Sequence, residues 1–143
     1  MALDLKALDT EIEEINADYI EMKNDCEELI AQSEKIVEGS EMDKKFLASV
    51  CMNMVSNAGE GRNWLTKALD AMLKKNYEVA ETCLEIADKL LGNAQSLQFG
   101  CLQRVQARGV VIPLDLLMLH SMDMYMIGTS ERDMLTQIVR ARI

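Results

Sequence analysis

The chain is poor in whatever breaks a helix: 143 residues contain one proline and seven glycines. Sandwiches and barrels need a turn signal every ~8–12 residues, so this scarcity excludes them and leaves long helices. Aromatic side chains are few, one Trp, three Tyr and two Phe, and no basic stripe accompanies them. The stacking platform and phosphate-binding face of a nucleic-acid binder are therefore missing. No stretch reaches the ~18 uninterrupted apolar residues of a spanning helix. The opening Met-Ala-Leu-Asp-Leu-Lys lacks the basic and apolar runs of a secretory leader, so the expected compartment is the cytoplasm. The hydrolase signatures G-x-S-x-G and HExxH and a phosphate-binding glycine loop are absent as well.

What the chain has is a strong division of charge. Residues 1–42 carry 13 acids and 3 bases, a net of −10, and the remainder carries 11 acids and 12 bases, a net of +1. An acidic N-terminal segment precedes a near-neutral body, and the acidity disfavours anionic membranes. The length suits one domain with a real core. Cys26, Cys51, Cys83 and Cys101 form no CxxC pair, so a zinc site is not indicated. They are expected as reduced thiols packed as small hydrophobes.

The periodicity predicts four long helices. Leu5, Leu8, Ile12, Ile15, Tyr19, Met22, Cys26, Leu29, Ser33 and Ile36 alternate steps of three and four, a seam flanked by Asp9, Glu11, Asp18 and Asp25. Like charges along those flanks disfavour a parallel self-pair and favour packing on the body. Ser40 is the expected cap of a second helix from about Glu41 to Lys75, with Asp43 as a weak capping-box partner. Gly59 and Gly61 inside that helix suggest a close approach or a bend. Lys74-Lys75-Asn76 reads as a helix end with a left-handed Asn. A third helix is expected from about Tyr77 to Ala107, ending at Gly109, and a fourth opened by Pro113 at its first position. Gly128-Thr129-Ser130 would break or bend the fourth. Short links between such helices give an antiparallel up-down bundle, with residues 1–39 as an acidic heptad helix and 40–143 as a three-helix domain.

The only histidine is His120, with Asp123 one turn further along the same face. Imidazole is the side chain best suited to carry a group or a proton near neutral pH. A carboxylate buried beside the apolar Leu116-Leu117-Met118-Leu119 needs a cation, a metal or a proton. Met118, Met122, Met124 and Met126 surround His120 in sequence, and thioethers with imidazole suit Cu(I). Against that, Met fills irregular cores readily, and Met122 and Met124 diverge around a helix. A pairing of His120 with Cys51, Cys83 or Cys101 stays open at this level.

Four stretches together carry a resemblance. Asn57-Ala58-Gly59-Glu60-Gly61-Arg62, Asn76-Tyr77-Glu78-Val79-Ala80, Ala94-Gln95-Ser96-Leu97-Gln98 and Leu119-His120-Ser121-Met122-Asp123-Met124 occur in order with family-like spacing. They resemble the N/H-[AS]-G-x-A-R, G-D-[FY]-x-x-A, A-H-x-x-Q and V-H-A-Q-D-H segments of enzyme IIA of the lactose/cellobiose class of the bacterial sugar phosphotransferase system. The resemblance spans about Phe46 to Ile138. It implies a homotrimer of three-helix subunits. His120 would accept a phosphoryl group from the phosphocarrier protein HPr and pass it to a cysteine of enzyme IIB during sugar uptake. Asp123 would cluster at the trimer axis around one Mg-like divalent ion, with no organic cofactor. The membrane would be involved only through the sugar permease. The family's Gln after the phospho-histidine is Met122 here, its second His is Met124, and the His of the A-H-x-x-Q segment is Gln95. Gln95, Gln98, Met122 and Met124 are the expected phosphoryl-site neighbours. The alternative is a bundle of this family without phosphotransfer, binding a protein partner through its acidic first helix.

Overall fold

The computed structural model describes residues 5–142. Helices α1 (Leu5–Ser33), α2 (Lys44–Leu73) and α3 (Tyr77–Leu97) are followed by a π-helical segment (Gln98–Gln103), a short α4 (Arg104–Ala107) and α5 (Leu116–Ala141). The architecture is the expected all-α bundle. α2, α3 and α5 form its centre, and α1 lies across α3, α2 and the π segment.

The heptad seam explains where α1 lies. Leu8, Ile15, Cys26 and Ser33 are buried, and Ile12, Tyr19, Met22 and Leu29 pack partly buried against the two cores. The side chain of the first seam residue, Leu5, falls outside the described set. Of the large apolar residues on α1, Ile20 is left exposed. The apolar stripe is thus spent within the chain, and the outer face is acidic. α1 ends at Ser33, three residues before the end of the seam. The Ser33 hydroxyl donates back to the Ile30 carbonyl, and the Arg108 guanidinium donates to the carbonyls of Ser33 and Glu34 at 3.0 and 3.1 Å. A distant side chain therefore supplies the helix cap.

Two expected ends differ in detail. α2 is capped by Asp43, whose carboxylate accepts from Phe46 N–H at 3.1 Å, while the Ser40 hydroxyl donates to Val37. A carboxylate there also suits the positive end of the helix dipole. At the other end Lys75 (φ +58°), not Asn76, takes the left-handed position. Lys75 N–H donates to Met72 and Asn76 N–H to Ala71, a Schellman closure that frees the Asn76 side chain to cap α3 through Val79 N–H. A left-handed lysine is strained, so Lys75→Gly is expected to stabilise the protein by about 0.5–1 kcal/mol. Urea denaturation reads this directly, and an unchanged or lower midpoint would contradict it.

The long third helix is not uniformly α. Its C-terminal part widens into the π segment, which buries Gln98, Cys101 and Leu102. Gly100 lies in that segment, and a Cβ there would meet Ile30 of α1 at 3.3 Å. The run closes as expected at Gly109 (φ +88°), in a second Schellman pattern from Gly109 and Val110 to Gln106 and Val105. Val111 then pairs in a short parallel bridge with Glu41, tying the two loops at this end together. Pro113 precedes α5 instead of opening it. Asp115 is the cap, accepting from Met118 N–H at 2.7 Å.

Gly128 does not break α5, which runs through it without interruption. Its role is proximity. A Cβ at Gly128 would lie 2.7 Å from Leu91 Cδ2, and one at Gly61 would lie 3.0 Å from Leu91 Cγ. Leu91 of α3 is therefore keyed between two glycines, one on α2 and one on α5. This contact sets how closely the three helices meet.

Candidate functional site

α5 is a helix with little to bury inside its own chain. Only Ser121, Gly128 and Val139 are fully buried. Leu116, Leu119, Met126, Ile127 and Met134 are exposed, Leu116 by 81% and Met134 by 65%. At 100° per residue these positions form one outward ridge, and Asp123 stands on it. Asp123 is exposed, not buried among leucines as the sequence suggests. The apolar run from Leu116 splits between the two sides of the helix: Leu117 and Met118 pack on the core, and Leu116 and Leu119 face out. Exposed apolar surface of this extent is unusual on a small domain.

His120 lies beside the ridge and is exposed. Among the described residues it has no hydrogen bond or ion pair. It also lines neither of two open grooves, one between α1 and α2 around Trp64 and one between α3 and α5 around Arg132. The imidazole is presented on a surface, not at the bottom of a pocket.

The other candidate residues divide by location. Met122 and Met124 are half-buried on the same helix. Met124 turns toward α2, where its terminal methyl would lie 3.7 Å from a Cβ at Gly59 and its sulfur 3.6 Å from Arg62 Nη1. Gln95 is exposed on α3. Gln98 is buried in the π segment, 8% exposed, with an Oε1 that has no hydrogen-bond partner. Neither glutamine hydrogen-bonds His120 in the described chain. The π segment reaches α5 through Phe99, whose ring meets Tyr125 edge-on at 6.5 Å.

The cysteines do not pair with the histidine. All four are buried, and burial pushes the thiols of Cys26 and Cys83 up to about 11 and raises those of Cys51 and Cys101. Thiols held protonated in this way are poor nucleophiles near neutral pH. Among the described residues no three His, Cys, Asp or Glu side chains come together as a metal-binding group. Asp123 of one chain does not make a metal site alone. No helix is long and apolar enough to cross a membrane, among the described residues.

Two contacts join side chains far apart in sequence. Arg62 Nε donates to Glu131 Oε1 at 2.6 Å, bridging α2 and α5. Asn57 and Asn93 form a buried amide pair between α2 and α3, with Asn93 Nδ2 donating to Asn57 Oδ1 at 2.9 Å. The partners lie 69 and 36 residues apart in sequence, so no local pattern announces them.

Comparison with known proteins accords with this geometry. A solved structure titled "The crystal structure of PtcA from S. mutans" superposes with a TM-score of 0.69 at 28% identity, covering 71% of this chain and 98% of that one. No curated protein matches at a significant level. The family described as "PTS system, Lactose/Cellobiose specific IIA subunit" matches residues 49–142, from within α2 to the end of α5, and leaves α1 outside. The chain belongs to the lactose/cellobiose-specific IIA family of the sugar phosphotransferase system.

Proposed function

We propose that the protein is a phosphoryl carrier that accepts phosphate on His120 from phospho-HPr and gives it to a cysteine of enzyme IIB. The observation that carries this reading is the placement of the chain's single imidazole. It is exposed on α5 of the IIA fold, unengaged within the described chain and outside both grooves. A carrier that exchanges phosphate with other proteins needs that exposure, because donor and acceptor each bring their own phosphate-bearing surface.

The chemistry balances without a cofactor. The lone pair of a neutral His120 ring nitrogen attacks phosphorus in line. The new N–P bond forms as the N–P bond to the donor imidazole breaks. The donor ring leaves with the bonding pair and takes up a proton, while the His120 ring releases one. On discharge a cysteine thiolate attacks phosphorus, and an S–P bond forms as the His120 N–P bond breaks; the His120 ring leaves with the bonding pair and takes up a proton.

The ridge of α5 supports a homotrimer, in which Leu116, Leu119, Met126, Ile127 and Met134 of three copies would cover one another. Asp123 stands on the same ridge, so three carboxylates would meet and require a divalent ion or a shared proton. The alternative, a binding module working through α1, lacks an exposed apolar stripe on that helix.

The test is discharge. Protein charged by phospho-HPr and mixed with its IIB is expected to lose its phosphoryl group to a cysteine, and His120→Ala to transfer none. Transfer that persists in His120→Ala would overturn the assignment.

A further inference from the structure

A phosphoryl group on His120 would arrive in a poor electrostatic setting. Asp123 is one turn away and Asp115 caps the same helix. A phosphoryl of about −2 charge needs a cation or strong donors to remain close to such carboxylates. His120, Met124 and Glu131 share one face of α5, at spacings of four and eleven residues. Arg62 of α2 touches the last two: Nε on Glu131 at 2.6 Å and Nη1 on the Met124 sulfur at 3.6 Å. Its stem passes Gly128, where a Cβ would lie 3.3 Å from Arg62 Cγ, so the side chain runs along this face. Other ion-paired bases near α5 look elsewhere: Arg132 pairs with Asp88 and Asp133, and Arg142 with Glu81.

We propose that Arg62 is the anion-binding partner of phospho-His120, its guanidinium turning from Glu131 past the Met124 thioether to the phosphoryl oxygens. The inference rests on His120 being the phosphorylated residue. The guanidinium is suited to the exchange. Nε is engaged by Glu131, but the Nη1 contact is to a thioether, a weak acceptor that yields readily to a phosphoryl oxygen. The pair is about two-fifths exposed, so little holds the guanidinium to Glu131 against a doubly charged competitor. The arrangement also gives Met124 a role. Where the family has a second histidine, this chain has an apolar spacer with the cation behind it.

The experiment uses phosphoramidate, a small phosphoryl donor, so that docking of a protein donor does not enter. Phosphohistidine formation is followed by intact-protein mass on wild type, Arg62→Ala, Arg62→Lys and Glu131→Gln, each checked for wild-type helicity. Arg62→Ala is expected to slow formation about tenfold or more, less than the ~10²–10³ of a buried preorganised donor because the guanidinium is partly exposed. Arg62→Lys should fall between, and Glu131→Gln, which releases the guanidinium, should match or exceed wild type. ³¹P resonances of the phosphorylated forms should shift in Arg62→Ala and not in Glu131→Gln. If Arg62→Ala reacts at the wild-type rate, or both pair partners lose rate equally, the Arg62 assignment is overturned while His120 stands. If wild type gains no phosphoryl group at His120, both readings fail.

Discussion

Leu91→Ala is expected to lower the unfolding free energy by about 3 kcal/mol, within the range of large-to-small core substitutions. Leu91 is fully buried and fills the space that Gly61 and Gly128 leave at the meeting of α2, α3 and α5. Gly128→Ala alone is expected to cost about 2 kcal/mol. The new Cβ would sit 2.7 Å from a Leu91 methyl that cannot retreat, because Gly61 closes the other side. That penalty outweighs the roughly 1 kcal/mol by which Ala is the better helix former. In the Leu91→Ala background the clash disappears, so there Gly128→Ala should become neutral or stabilising. Denaturation of the four proteins at one concentration gives the coupling. Equal costs for Gly128→Ala in both backgrounds would contradict the keyed contact.

The second large effect concerns the buried amides. Asn57 Nδ2 donates to the Asn53 carbonyl at 2.8 Å and weakly to Cys26 Sγ at 3.7 Å, while its Oδ1 accepts from Asn93. One side chain thus joins α1, α2 and α3. Asn57→Ala removes these bonds, opens a cavity and strands the Asn93 amide, at an expected cost of about 3 kcal/mol. Asn93→Ala should cost less, because Asn57 keeps its bond to Asn53. The double variant should cost less than the sum, since no stranded amide remains. Urea midpoints of the three variants decide it, and strict additivity would count against a coupled pair.

Much of this architecture is visible in the residues themselves. The seam from Leu8 to Ser33 is regular enough to place α1 on the body, because its acidic flanks have no other sensible neighbour. Gly109 and the short links between helices mark ends that the chain then makes. Where the reading departs from the structure, the deciding partner is usually distant. Ser33 ends α1 because Arg108, 75 residues away, reaches its carbonyl. Lys75 takes a left-handed conformation that its side chain does nothing to favour, because Asn76 is needed as the next cap. Gln98 is polar yet buried, because it follows Leu91 by seven residues and shares its inward face. His120 and Asp123 were legible as candidates, a single imidazole with a carboxylate one turn away, and the family resemblance gave them their roles. Their exposure was not legible, because an apolar run such as Leu116–Leu119 looks the same whether it meets its own core or faces outward.

His120 is the residue proposed to carry the phosphoryl group. The most direct test is the intact mass of wild type and His120→Ala after incubation with phosphoenolpyruvate, enzyme I and HPr. One acid-labile phosphoryl group on wild type and none on His120→Ala is the predicted result. A folded wild-type protein that gains no mass, or a His120→Ala protein that gains as much as wild type, would contradict the account.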